Sequence, residues 1–406
     1  MDAHFRLRCR SCGHDREPGP VDYRCARCGG ELAVEYLGLG PAPRATRGVW
    51  RFADRLPIGG SPLDLDLGAG DTPVVRLDAE TRTALNGARA VVKCENLNPT
   101  GSFKDRIAAV AVALARERGL RVLAGTSSGN GGAAAAAYCA RAGLRLELFA
   151  LADAPAEKIA QLRAFGAHVH LVRGVGHDAA ATERAAVEVA SRAAALGAFP
   201  FLTGGRFSPE AMEGAKTIAY ELAEQCPDAT RVYIPVGGGG LLAAFGRAYA
   251  ELRRDGRPTP ILVAAQPAGC ATLRPALAGD VSGLPELVTS TVSGLQVAIL
   301  FDPSGAVEAL RSSGGHVVEV EDADTWAAQR RLARGSGVLV EPAGAIALAA
   351  ALRDAELGRL TPDDRIVLIG SGAGFKDGPA LTRLGGTDPV PVIDVDEIEG
   401  VLTDDR

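Results

Sequence analysis

No apolar run in the 406-residue sequence reaches the roughly twenty residues that a bilayer-spanning helix needs. A helical membrane protein is therefore excluded. Residues 1–20 are polar, so no signal peptide is expected and the expected address is cytoplasmic. There is no basic block, and the net charge of −5 argues against a nucleic-acid surface. A disulfide framework is missing as well. Of eight cysteines, four fall within residues 9–28 and four are scattered singly. A metal site in a reducing compartment explains that split better than disulfides do.

What is present is ordinary for a soluble globular chain, with 47% apolar and 23% charged residues. The length is too great for one core, so two or three domains are expected. Fifty glycines cluster in loops beside apolar runs. That distribution suits an α/β enzyme whose backbone comes close to a ligand.

The organising stretch is Asn98-Pro99-Thr100-Gly101-Ser102-Phe103-Lys104-Asp105-Arg106. It follows the apolar Ala90-Val91-Val92 and precedes a good helix former, residues 107–115. Pro99 and Gly101 predict a turn and Ser102 an N-cap, which sets Lys104 at a helix start. A lysine beside free backbone N–H groups and the positive helix end should have a lowered pKa, suited to anion and aldehyde chemistry.

At the N-terminus, Cys9-x-x-Cys12-Gly13 and Cys25-x-x-Cys28-Gly29 form two knuckles between short alternating strands at residues 5–7 and 31–34. Cys9, Cys12, Cys25 and Cys28 can converge tetrahedrally on Zn²⁺, and four protein ligands make the site structural. Residues 38–72, rich in Gly, Pro and Asp, read as a connector wrapping the catalytic domains.

Downstream, strands and helices alternate, which implies a parallel sheet with right-handed crossovers. Strands are predicted at 121–125, 144–151, 166–172, 231–236, 260–266, 317–320 and 365–369. Helices are predicted at 155–165, 178–196 and 322–334. His168 and His170 alternate with apolar residues, so they belong on the solvent face of their strand. Two of the turns read as ligand sites. Thr126-Ser127-Ser128-Gly129-Asn130-Gly131-Gly132 opens onto an Ala-rich helix, which makes an anion site of N–H groups and hydroxyls. Gly237-Gly238-Gly239-Gly240 lies between a strand and a helix and can turn several N–H groups toward one phosphate.

The Asn98–Arg106 stretch resembles the pyridoxal-phosphate (PLP) lysine motif of the threonine synthase family, within the tryptophan-synthase-β-like (fold type II) enzymes. Glu213-Gly214, Lys216-Thr217, Glu341-Pro342 and Gly370-Ser371-Gly372 extend the resemblance over nearly the whole chain, and some family members carry a similar ribbon. The resemblance implies an α/β fold of two parallel-sheet domains with the site between them. The expected parts are a zinc ribbon at residues 1–37, a large PLP-binding domain at 38–90 and 200–406, and a smaller domain at 91–199. It implies that Lys104 carries PLP as a Schiff base. Asn130 is then expected to bond the cofactor's O3′, Gly237–Gly240 to hold its phosphate, and Ser371 to bond its ring nitrogen. Ser127, Ser128, Gly129 and Asn130 are expected to bind the substrate carboxylate, and Lys93 an anionic substrate group. A homodimer acting on a small amino acid is expected.

Two positions depart from the family pattern. Ala211 stands where the family's phosphate-binding Arg belongs, with Arg206 nearby, and Gly131 stands where threonine synthases commonly have Thr. Threonine synthase chemistry on O-phosphohomoserine is one reading. β-Elimination or β-replacement on serine, threonine, O-phosphoserine or a specialised amino acid is a second. A non-catalytic binding module on the same fold is a third, against which Lys104, Asn130 and Ser371 together argue.

Overall fold

Three sheets organise the chain, and two of them are parallel, as the alternation of strands and helices requires. The computed structural model describes residues 4–19, 23–127, 129–152, 154, 156–176, 178–279 and 287–403. In chain order the strands are β1 (Phe5–Cys9), β2 (Asp15–Arg16), β3 (Leu32–Tyr36), β4 (Val74–Arg76) and β5 (Arg89–Lys93), then β6 (Val122–Gly125), β7 (Arg145–Leu151), β8 (His168–Val172) and β9 (Phe199–Phe201). They continue as β10 (Arg231–Pro235), β11 (Ile261–Pro267), β12 (His316–Val320) and β13 (Arg365–Ile369). The N-terminal module is antiparallel, in the order β2-β1-β3. The large sheet runs β12-β11-β10-β13-β5-β4, parallel except for β4 at its edge. The small sheet runs β8-β7-β6-β9, parallel throughout.

Strand composition explains these placements. β10 (RVYIP) and β13 (RIVLI) are central, apolar and buried beyond their first residue, as strands covered on both faces must be. β8 is an edge strand; His168 and His170 lie on its exposed side and both bond Glu147. The helix Lys104–Glu117 is buried all round from Asp105 to Ala115. It is therefore an internal helix and not an amphipathic surface one. Its small Ala and Val side chains let it sit close to the helix Asn130–Ala142 and to the turn at 211–215, where Gly214 lies against the Arg106 carbonyl.

The connector packs into the main core: Val49, Trp50, Phe52 and Ala53 are buried in it. Sheet membership moves two boundaries. The division expected between residues 90 and 91 cuts through β5, which belongs wholly to the large sheet. The division expected between 199 and 200 cuts through β9, which belongs to the small sheet. Both shifts have one cause. Each strand feeds its following loop into the cleft, so its apolar run belongs with the sheet behind it.

Candidate active site

Five loops at the C-terminal ends of parallel strands meet at the site. β5 leads to the Lys104 loop, β6 to Thr126–Asn130, β9 to Thr203, β10 to Gly237–Gly240 and β13 to Ser371. Open parallel sheets bind ligands at this end, where loops converge and helix N-termini point.

The Lys104 loop is held from both sides. Ser102 forms an antiparallel bridge with Gly372, Phe103 N–H donates to Ser371 O (3.1 Å), and Ala373 N–H donates to Gly101 O (2.8 Å). Inside the loop, the Asp105 carboxylate accepts from Thr100 N–H (3.2 Å) and from its hydroxyl (2.8 Å). Lys376 Nζ donates to Thr100 O at 2.6 Å. The expected cap is corrected here: the N-cap is Phe103, and the buried Ser102 hydroxyl has no partner among the described residues. With Ser102 committed to a backbone bridge, its side chain cannot turn over the helix end.

Lys104 Nζ donates to Thr203 Oγ1 at 2.8 Å. Burial lowers its amine to about 8, while the nearby charge of Glu341 acts in the opposite direction. The lowering has desolvation, rather than the helix end, as its cause. Lys104 is one of five lysines in the chain. Lys93 and Lys216 are ion-paired to glutamates, Lys376 serves the Thr100 carbonyl, and Lys158 bonds the Ser293 hydroxyl at 2.7 Å.

Thr203 ties the other loops to this amine. Its methyl lies 3.3 Å from where a Cβ on Gly131 would stand, and its carbonyl 3.1 Å from a Cβ on Gly240. Lys104, the 127–131 loop and the glycine turn therefore meet at one residue. The glycine turn has its own constraints. Gly239 has φ +85, and a Cβ on Gly238 would stand 2.8 Å from the Phe301 ring. Gly238 O accepts from Phe301 and Asp302 N–H, while the N–H groups of Gly237, Gly238 and Gly239 have no partner among the described residues. These donors lie directly before the helix Gly240–Arg254. In the carboxylate loop, Ser127 Oγ accepts from Gly132 N–H at 3.0 Å, and Gly129 is the N-cap of the helix Asn130–Ala142. Ser128 lies outside the described residues.

Asn130 Nδ2 donates to Glu341 Oε1 at 2.7 Å, and its Oδ1 is buried with no partner among the described residues. Glu341 is itself buried, and burial raises its carboxyl to about 7 against the pull of Lys158 and Lys376. A Cβ on Gly372 would stand 2.1 Å from Glu341 Oε1, so this acid fills the space between Asn130 and the Ser371 loop. The sequence named Glu341-Pro342 but gave the glutamate no role. An acid before Pro at a helix start after an apolar run was the available signal. Thr203 had no such signal.

Lys93 is a correction. It is fully buried, and its ammonium donates to Thr72 O, Glu221 Oε2 and Gln225 Oε1. No donor is left for a substrate. It belongs to a buried charge cluster in which Arg106 forks onto Glu95 (2.8 and 2.7 Å) and Glu221 (2.6 and 2.8 Å). Gly70 and Asp71 are drawn in through Asn98 and Glu221. The cluster joins the connector, the Lys104 loop, its helix and the helix Lys216–Gln225, so it positions the lysine from behind. Ala211 is fully buried in the main core, and the Arg206 guanidinium is engaged by Glu183 and lies over the Phe207 ring at 4.7 Å. A surface cavity of about 360 Å³ between Arg76, Arg82, Arg89 and Arg365 lies at the opposite, N-terminal ends of β5 and β13.

In the N-terminal module the four cysteine sulfurs lie within 4.8 Å of one another, with Cys9–Cys28 at 3.5 Å and Cys12–Cys25 at 3.8 Å. Sulfurs at about 2.3 Å from one tetrahedral ion would be about 3.8 Å apart. The module also touches the cleft. The Tyr23 ring stacks on Phe207 (centroids 6.3 Å), Phe207 meets Phe301 edge-on (5.9 Å), and Phe301 N–H donates to Gly238 O (2.8 Å).

The residues present fit pyridoxal phosphate. A lysine amine whose one hydrogen-bond partner among the described residues is a hydroxyl, an orphaned amide oxygen at Asn130 and a row of N–H groups before a helix with no partner among the described residues converge on one cleft. An aldehyde, a ring hydroxyl and a phosphate ester are the groups these would meet.

The family described as "Pyridoxal-phosphate dependent enzyme" matches residues 65–372. The chain is 31% identical to the threonine synthase of Methanosarcina acetivorans, over 92% of each chain. It is 33% identical to that of Mycobacterium leprae, over 86% of this chain and 94% of the other. Among solved structures, maize serine racemase superposes with a TM-score of 0.63 at 26% identity, over 77% of this chain and 90% of the other.

Proposed function

The chain belongs to the pyridoxal-phosphate dependent enzymes, and within them to the threonine synthase family; it is a PLP-dependent lyase, and from that premise we propose that it converts O-phosphohomoserine to threonine and phosphate. The observation that carries this reading is the similarity to curated threonine synthases along 92% of both chains. The convergence of Lys104, the 127–131 loop and the glycine turn at Thr203 supports it.

When bound, the cofactor supplies an electron sink for the charge left at Cα. The N–H groups of Gly237–Gly240 would hold its phosphate, Asn130 would meet its ring hydroxyl, and Ser371 would meet its ring nitrogen. Lys104 is the residue that would carry it. The Lys104 amine, lowered to about 8, would take the Cα proton and move protons at the later carbons. Ser127, Ser128, Gly129 and Asn130 bind the substrate carboxylate at the N-terminus of their helix. The same reading makes the enzyme a cytoplasmic homodimer of a ribbon, a large domain and a small domain, with a small amino acid as substrate.

Ala211 favours a second reading. A fully buried alanine offers no guanidinium fork for a substrate phosphate, and Arg206 is otherwise engaged. Elimination or replacement at Cβ of serine or threonine needs no such fork. Purified enzyme given O-phosphohomoserine is expected to release threonine and phosphate in equal amounts. If neither forms while serine or threonine yields a keto acid, the second reading replaces the first.

We also assign a structural Zn²⁺ to Cys9, Cys12, Cys25 and Cys28. Through Tyr23, Phe207 and Phe301 the ribbon buttresses the Gly238 turn, so stripping the metal should weaken cofactor binding about tenfold. Equilibrium titration of the chelated protein with PLP, followed by its absorbance, checks this. An unchanged dissociation constant after complete zinc loss would contradict the coupling.

A further inference from the structure

We infer that Thr203 is the positioning residue for Lys104, and that position 131 is glycine because the one branched, hydroxyl-bearing side chain this corner admits is placed at 203. The inference rests on the reading of Lys104 as the cofactor lysine and goes beyond it by naming what holds the amine when it is free.

The Thr203 hydroxyl is the one hydrogen-bond partner of the Lys104 amine among the described residues. A hydroxyl suits an amine that gains and loses protons. It accepts from the ammonium, and after deprotonation it turns its own hydrogen toward the nitrogen lone pair. A carboxylate in its place would fix the charged form. The nearest acid that acts on Lys104, Glu341, does so through its charge and bonds Asn130 instead.

Thr203 is placed rigidly. Ser208 Oγ accepts from Leu202 N–H (3.1 Å) and donates to Pro200 O (2.7 Å), while Gly204 O accepts from the N–H groups of Phe207 and Ser208. These bonds close the 202–208 loop on itself. On its outer side, Cβ atoms on Gly204 and Gly205 would each stand 2.3 Å from residues 301 and 302, so the loop is wedged against that segment. A side chain held this way stays within the tolerance that proton transfer demands.

The space admits one branched side chain. A Cβ on Gly131 would stand 3.1 Å from Ser127 Oγ and 3.3 Å from the Thr203 methyl. Its two γ-branches would need the volume Thr203 fills. Positions 131 and 203 thus form an exchangeable pair: a hydroxyl can approach the lysine from either wall of the corner, but not from both.

The test uses the holoenzyme and the variants Thr203→Val, Thr203→Ser, Gly131→Thr and the double variant Gly131→Thr/Thr203→Ala. The readouts are the pH midpoint of the visible band of the lysine-linked cofactor and the rate at which that band recovers after a pulse of amino acid is consumed. Thr203→Val is expected to shift the midpoint by about one pH unit and slow recovery about tenfold or more, because the amine loses its tether. Thr203→Ser should stay within about threefold of the parent. Gly131→Thr should be impaired, and the double variant should recover about tenfold over it, since the hydroxyl then comes from the other wall. A Thr203→Val midpoint and recovery equal to the parent's, or a double variant no better than Gly131→Thr, overturns the assignment. If Thr203→Val does not fold, the double variant decides. A parent protein with no lysine-linked band would instead overturn the cofactor reading itself, a different and separately visible failure.

Discussion

Replacing Lys104 by alanine should remove the visible band of the bound cofactor and lower turnover by about 10³-fold, within the range that loss of a positioned acid–base group produces. The cause is local and cannot be made good from elsewhere. Of the other four lysines, Lys93 and Lys216 are fully buried and neutralised by glutamates. Lys376 is spent on the loop that carries position 104. Lys158 bonds the Ser293 hydroxyl. Alanine at position 104 also leaves the phosphate turn intact, so the variant should still take up PLP, but reversibly. Dialysis should then strip the cofactor from the variant and not from the parent. A Lys104→Ala protein that keeps an unaltered band after dialysis would refute the assignment.

The second large effect is on stability. Glu221→Ala should lower the unfolding free energy by about 3–5 kcal/mol, the cost of leaving buried charges without their partner. Glu221 receives two bonds from Arg106 and one from Lys93, with both side chains of each pair fully buried. Burial alone would raise its carboxyl, but Arg106 and Lys93 hold it down at about 2. An unfolded glutamate titrates near 4.3, so the folded carboxyl is depressed. Its contribution is fully present above that value and is lost as pH falls from about 5 through about 2. Urea titrations at pH 7 and pH 4 should therefore show a smaller loss of stability on acidification for the variant than for the parent. Glu221→Gln keeps the shape and removes the charge, so it should fall between the two. A Glu221→Ala midpoint equal to the parent's at pH 7 would show that the cluster does not hold the Lys104 helix in place.

The sequence revealed the parts that local chemistry dictates. Strands such as Arg365–Ile369 stand out because continuous apolar runs ended by glycine have few other uses. The tetraglycine turn and the Lys104 loop stand out because their backbones must do what side chains cannot. The cysteine knuckles stand out through their spacing alone, and their sulfurs do converge. What stayed hidden depends on which chain segments meet in space. Lys93 follows an apolar strand next to the site in sequence, yet its side chain turns toward Glu221, 128 residues away. Thr203 looks like one more small residue in a Gly-rich turn until β9 and β5 bring it to Lys104 from 99 residues away. Ser102 had the right residue type for a cap, but tertiary pairing with Gly372 overrode the local preference. Glu341 carried a signal in its place before Pro342, but the burial that raises its carboxyl is invisible in one sequence.

The central claim is a single covalent link, and it can be fixed chemically. Reducing the PLP-loaded protein with borohydride, digesting it and sequencing the modified peptide by mass spectrometry should place one pyridoxyl phosphate group on Lys104, within the peptide that begins after Arg89 and ends at Arg106. A group found on Lys93, Lys158, Lys216 or Lys376, or on no lysine at all, would contradict the account.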